Sequence, residues 1–124
     1  MRGLNRSILA GRLVADPEIR YTQKETAVTH FRLAINWQNK NGKGVDFINC
    51  VAWGSLAKIC GEYLKKGRLV AVEGRLQVKS YQDKKGQNRT TTEVVVDNMQ
   101  MLDSKFFNAA NKAEGSQEEE LIEV

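Results

Sequence analysis

A chain of 124 residues, 41% of them hydrophobic and 27% charged, suffices for one domain with a modest core. It has no apolar run of the roughly eighteen residues needed to cross a membrane, and its start, Met1-Arg2-Gly3-Leu4-Asn5-Arg6, lacks the apolar stretch of a secretory signal; a cytoplasmic protein is expected. All but two of the 19 Lys/Arg precede residue 103, whereas six of the 15 Asp/Glu follow residue 102, so a basic body suited to polyanions carries an acidic tail.

Leu4 to Leu13 reads as a first strand, with Gly11 marking a bend or a close backbone approach, and Asp16-Pro17 ends it. A short extended piece, Glu18 to Thr22, leads to a second strand from Ala27 to about Trp37, where Phe31, Leu33 and Ile35 alternate with His30, Arg32 and Ala34. Gln38 to Gly44 is polar, and Asn41-Gly42 is a turn signal that brings the chain back as a hairpin. The third strand, Val45 to Gly54, is apolar on both faces: Val45, Phe47, Asn49, Val51 and Trp53 on one, Ile48, Cys50 and Ala52 on the other.

After Gly54 the period lengthens, since Leu56, Ile59, Cys60, Tyr63 and Leu64 share a helical face. Ser55 is expected to cap this helix, Lys65 and Lys66 to sit in its last turn and Gly67 to stop it. Gly61 inside it signals close packing or a marginal helix. From Arg68 to Tyr81 the alternation is clear, with Val70, Val72, Leu76 and Val78 expected on the buried face and Arg75, Gln77, Lys79 and Tyr81 on the other. A turn over Asp83 to Asn88 precedes a last strand, Arg89 to Leu102, rich in Thr and Val.

These elements predict an all-β domain over residues 1–102: a five-stranded oligonucleotide/oligosaccharide-binding barrel with one helix between the third and fourth strands. A disordered acidic tail is expected over 103–124.

Catalytic and metal signatures are missing from the pattern. Cys50 and Cys60 form no Cys-x-x-Cys motif and read as buried thiols, and His30 has no nucleophile or acid at a suggestive spacing. Asp16, Asp46 and Glu73 are scattered and suit salt links or turns. No enzyme, cofactor or metal site is expected.

What the surface does carry suits single-stranded nucleic acid, whose unstacked bases need flat rings and whose phosphates need cations. Phe47 and Trp53 lie on one face of the third strand, about 20 Å apart at strand rise. Either position also suits a core, where large aromatics are usually found. Tyr81 ends a face of Arg75, Gln77 and Lys79 that no core accepts without partners. Trp37 falls by strict alternation with Phe31, Leu33 and Ile35.

Five segments, Asp16-Pro17-Glu18-Ile19-Arg20-Tyr21, Asp46-Phe47-Ile48-Asn49-Cys50-Val51-Ala52-Trp53-Gly54, Tyr63-Leu64-Lys65-Lys66-Gly67, Val72-Glu73-Gly74-Arg75-Leu76 and Thr92-Glu93-Val94-Val95, resemble in unbroken order the bacterial single-stranded DNA-binding proteins. The resemblance spans about residues 2–102. It implies the same barrel, a homotetramer, and wrapping of single-stranded DNA exposed in replication, recombination and repair. It puts stacking aromatics at Phe47, Trp53 and Tyr81, with Trp37 near another family aromatic. It also puts phosphate contacts at Arg6 and Lys79 and a basic pair after the helix at Lys65 and Lys66; Arg75 joins them from the basic face of the fourth strand.

The tail departs from the family pattern. Glu118-Glu119-Glu120-Leu121-Ile122-Glu123-Val124 keeps acid and apolar character without the Pro-Phe tip that docks replication and repair proteins in the family. Docking through Glu118, Glu119, Glu120, Leu121, Ile122 and Val124 is an expectation, beside the alternative that the segment only tunes solubility or competes for the DNA groove. RNA as ligand and an adaptor role for the exposed rings are the alternatives to single-stranded DNA binding.

Overall fold

The structure, a computed structural model, describes residues 3–103. Seven elements follow one another: β1 (Ser7–Leu13), β2 (Glu18–Tyr21), β3 (Ala27–Asn39), β4 (Gly42–Trp53), α1 (Ser55–Tyr63), β5 (Leu69–Gln82) and β6 (Asn88–Met101). Strand order is β1-β5-β6-β4-β3-β2, and a further antiparallel pairing of β1 with β3 closes five strands into a barrel. The short piece after Asp16-Pro17 is a sixth strand, attached outside the barrel to the start of β3. Tail residues 104–124, including the candidate docking segment Glu118 to Val124, lie outside the described residues.

The strand period read from the sequence builds the core, but the expected helical face is only partly buried: Ile59 and Tyr63 are exposed, and Ala57 turns inward with Cys60 instead. Ala27, Phe31 and Leu33 of β3, Cys50 and Ala52 of β4, Val70 and Val72 of β5, and Val94 and Val96 of β6 point inward, and Ala57, Cys60 and Leu64 plug one end. Helix α1 is fastened to β3 by the Thr29 hydroxyl, which donates to the Ala57 carbonyl across 2.6 Å in a buried setting. At Gly61 a Cβ would lie 3.1 Å from Ile19 Cδ1, so this glycine lets the helix sit close over β2 and β3. At Gly11 the space is tighter still: a Cβ would stand 2.5 Å from the Ala34 carbonyl oxygen, where β1 crosses β3 to close the barrel.

Several local expectations are corrected. Ser55 is the first residue of the helix rather than its cap; Gly54, at φ 67°, turns the chain into α1, with no side-chain cap bond. The helix ends at Tyr63, because Leu64 is extended and buried in the core, so Lys65 and Lys66 lie beyond the last turn. The polar stretch Gln38 to Gly44 is mostly strand, with only Lys40 and Asn41 left as the turn; Asn39 Oδ1 accepts the Asn41 N–H at 2.8 Å.

Leu76 and Val78, expected to be buried, are 46% and 65% exposed. The reason is topological: β1 pairs with β5 only as far as Gly74, after which β5 and β6 continue together as an arm beyond the barrel. Asn5 finishes the free edge by bonding both backbone groups of Leu76 through its amide.

Candidate nucleic-acid interface

Side-chain alternation and register place a second, non-core face on the sheet. In β3 and β4 the pairs Val28↔Trp53, His30↔Val51, Arg32↔Asn49 and Ala34↔Phe47 point away from the main core. The parallel match of Val51 with Val95 carries that face onto β6, and the antiparallel pairs Arg75↔Val95, Gln77↔Glu93, Lys79↔Thr91 and Tyr81↔Arg89 carry it onto β5. Phe47, Trp53, Arg75, Lys79 and Tyr81 therefore share one side of a curved sheet. Its floor is a small separate cluster of Val28, Val51 and Val95.

The three rings are open: Phe47 is 51%, Trp53 45% and Tyr81 52% exposed. Arg32 lies over Phe47, its guanidinium carbon 4.9 Å from the ring centroid. Tyr81 stands near the tip of the arm, where Asp83 ties the turn: Oδ1 accepts the N–H groups of Lys85 and Gln87, and Oδ2 accepts Arg89 Nε–H at 3.0 Å. The Arg89 bond foremost, then the backbone donors of Gln87 and Lys85, hold the Asp83 carboxyl below the usual carboxylate range.

A groove of about 520 Å³ runs along this face, lined by His30, Arg32 and Asn49 on one side, Thr91 and Glu93 on the other, and the β1–β2 connection. Lys79 Nζ lies 3.0 Å from Glu93 Oε1, while Arg75 is exposed. Arg6 is placed apart from this groove, bonded to Glu73 and 3.9 Å from Asp97. Lys65 and Lys66 are exposed, and the Lys66 N–H is held by Asp16 Oδ1 at 2.9 Å. These contacts give Glu73 and Asp16 the structural roles expected of them.

Trp37 is not brought together with the other rings. The β3–β4 register is unbroken, so it stays on the opposite face, 42% exposed because the hairpin runs past the barrel. Its ring covers Gly44, where a Cβ would meet Trp37 Cζ2 at 2.5 Å.

The sequence reading put Asn49 beside Phe47 and Trp53 but missed Arg32 and Glu93 as parts of this face. A signal existed in Arg32, which alternates with core residues, but its meeting with Phe47 depends on hairpin register. Cys50 and Cys60 are buried as expected, and burial pushes their thiols up to about 12 and about 11. Among the described residues no cluster of His, Cys, Asp or Glu is arranged to hold a metal, and no helix is long and apolar enough to cross a membrane.

A small barrel with one helix at its mouth and open rings set among cations on one face is an oligonucleotide/oligosaccharide-binding fold with a surface suited to a ligand that is both flat and anionic. Comparison with known proteins narrows this class. The model of the Single-strand binding protein family matches residues 4–102, and the chain belongs to that family of non-catalytic binding proteins. It is 44% identical over 117 residues to single-stranded DNA-binding protein 1 of Lactococcus lactis, covering 92% of this chain and 74% of that protein. It is 41% identical over 120 residues to single-stranded DNA-binding protein 3 of Listeria innocua, covering 94% and 75%. With the single-stranded DNA-binding protein of Halalkalibacterium halodurans it shares 45% identity over 105 residues, 82% of this chain and 62% of the relative.

Proposed function

We propose that the chain binds single-stranded DNA without catalysis and with little regard to sequence, protecting strands exposed in replication, recombination and repair. Bases stack on Phe47, Trp53 and Tyr81 while Lys79 and Arg75 meet phosphates; Lys65 and Lys66 extend the cationic path, and Arg6 joins it by exchanging its carboxylate partners for phosphate. Trp37, on the other side of the β3–β4 hairpin, meets DNA only if the strand wraps around that hairpin. The observation that carries the reading is the sharing of one sheet face by three half-exposed rings and two cations. Aromatic rings of this size left in water on a folded surface are common where a ligand covers them.

The working unit in this proposal is a homotetramer in the cytoplasm. Leu76 and Val78, exposed on the arm, and Ile8, 72% exposed on β1, are apolar surface that further copies would cover. The acidic tail is proposed to dock replication and repair proteins through Leu121, Ile122 and Val124.

The test is a fluorescence titration of the intact protein with oligo-dT over a range of salt, together with light scattering with and without a long poly-dT strand. Quenching of tryptophan, affinity falling linearly with log salt, and a mass of four chains are expected. Weak, salt-insensitive binding would instead favour a protein ligand for the exposed rings.

A further inference from the structure

His30 is the chain's only histidine, and none of the contacts proposed above uses it. Its side chain is exposed, and among the described residues no hydrogen bond or ion pair engages it. It lines the groove, and register fixes its place there. Glu18 of β2 stands opposite His30, His30 opposite Val51, Val51 beside Val95, and Val95 opposite Arg75, so one row crosses five strands. Val51 and Val95 are buried. His30 and Arg75 are therefore the polar side chains on either flank of a low apolar floor.

Trp53 is one same-face step along β4 from Val51, and Phe47 is two steps the other way. A DNA strand that stacks on both rings runs along β4, with β3 about 5 Å to its side. On that flank the same-face residues of β3 are Arg32, His30 and Val28, and Arg20 of β2 stands beside Val28. Arg32 and Arg20 are permanent cations. His30 occupies the place between them, and a histidine is the side chain whose charge changes near neutral pH.

The charges around the imidazole come from several elements and pull in both directions. Glu18 opposite it, and Asp16 on the β1–β2 connection that borders the groove, favour the protonated ring. Arg20, diagonal to it on β2, and Arg32, two residues along β3, oppose protonation. Glu18 Oε2 lies 3.5 Å from Arg20 Nη2, and across the groove Glu93 is held 3.0 Å from Lys79, with Arg75 at the far end of the row. From β4 only the uncharged Asn49, Val51 and Trp53 adjoin it on this face. A phosphate laid alongside adds a negative charge to this balance and tilts it toward imidazolium, which then donates an N–H to the phosphate oxygen.

We infer that His30 is a pH-dependent phosphate contact: in its protonated form it donates to the strand that passes between Trp53 and Phe47, so that binding takes up one proton from solvent and tightens as the solution is made more acidic. The inference rests on the single-stranded DNA reading above.

The intact protein and its His30→Gln and His30→Lys variants are titrated with oligo-dT at pH 5.5 and pH 8, each at several salt concentrations. Thymine and the phosphodiester keep their charge over this range, and Cys50 and Cys60 titrate above it. Wild-type affinity is expected to rise about three- to tenfold on going to pH 5.5, with the slope of log affinity against log salt steeper by up to about 0.7. His30→Gln should lose most of that rise, and His30→Lys should bind tightly at both pH values. Ring-proton resonances of the single histidine give a second readout: bound oligo-dT should raise their titration midpoint by about half to one pH unit, the same factor as the gain in affinity. A wild-type affinity that ignores pH, or a ring titration that DNA leaves unmoved, overturns the inference without recourse to a variant. An undiminished rise in folded His30→Gln, checked by circular dichroism, also overturns it. No binding to oligo-dT at either pH overturns the single-stranded DNA reading itself, and this inference with it.

Discussion

Arg32 and Phe47, on adjacent strands and both turned away from the core, stand in cation–π contact, the guanidinium carbon 4.9 Å from the ring centroid. The contact steadies the ring and sets a cation against one of its faces, on the side of the sheet proposed to meet DNA. Such a pair is worth about 0.5–1 kcal/mol at an exposed site. Arg32→Ala should therefore weaken oligo-dT binding by several-fold at most, through ring mobility and lost charge together. A titration showing no change would mean that the ring needs no such support.

Phe47→Ala and Trp53→Ala should each cost more. Stacking in single-stranded DNA binders is generally worth about 1–3 kcal/mol per base, or roughly 5- to 150-fold in affinity. Neither ring belongs to the main core, so unfolding midpoints should move little. An affinity loss accompanied by an equal loss of stability would reassign these rings to packing.

Charge substitutions should differ from ring substitutions in salt dependence. Each phosphate contact removed should flatten the slope of log affinity against log salt by about 0.7. Arg75→Ala is expected to do so, because its side chain is exposed and on the ring-bearing face. Phe47→Ala is expected to leave the slope unchanged. Titrations at four or five salt concentrations distinguish the two.

Stability should respond to one buried glycine. A Cβ on Gly74 would lie 2.0 Å from the Val95 carbonyl oxygen, at the bulge where β5 leaves the barrel. Backbone cannot yield as a side-chain tip does, so Gly74→Ala should destabilise the fold by roughly 1–3 kcal/mol. Thermal unfolding would register this as a drop of several degrees, and an unchanged midpoint would refute the close approach.

Alkaline pH should weaken the fold through its thiols. Burial raises Cys50 to about 12 and Cys60 to about 11, against 9.0 for the unperturbed group. Below pH 9 both states keep their protons and the thiols contribute no pH dependence. Above it the unfolded chain loses protons that the folded chain retains, so stability falls from about pH 9 toward pH 11–12. Urea midpoints at pH 8, 9 and 10 should decline, less steeply in Cys60→Ala. Both thiols should also resist alkylation at pH 8 until the protein is unfolded.

Much of this molecule is legible in its residues because period and burial agree. Phe31 and Leu33 alternate with outward polar residues, and Cys60 and Leu64 follow a helical spacing; all four are in the core. The sequence pattern failed where the decision was not local. Leu76 and Val78 have the alternation of buried positions, but β1 ends before it can cover them. The same is true of the groove: Arg32 and Glu93 are far apart in the chain, and only the pairing of β4 with β3 and β6 puts them on its opposite sides. Ser55 has the chemistry of a cap, yet the left-handed Gly54 makes the turn one residue earlier.

The seam between β4 and β6 is held by only two paired positions, Cys50 with Val94 and Val51 with Val95. Hairpins β3–β4 and β5–β6 can each assemble from nearby chain, whereas this join unites segments separated by the whole helix and the fifth strand. Bringing such distant segments together carries a loop-closure entropy that neither hairpin pays and delays the step. During synthesis the first hairpin emerges with its seam edge unmatched, and the ring of strands is sealed only when the final one arrives.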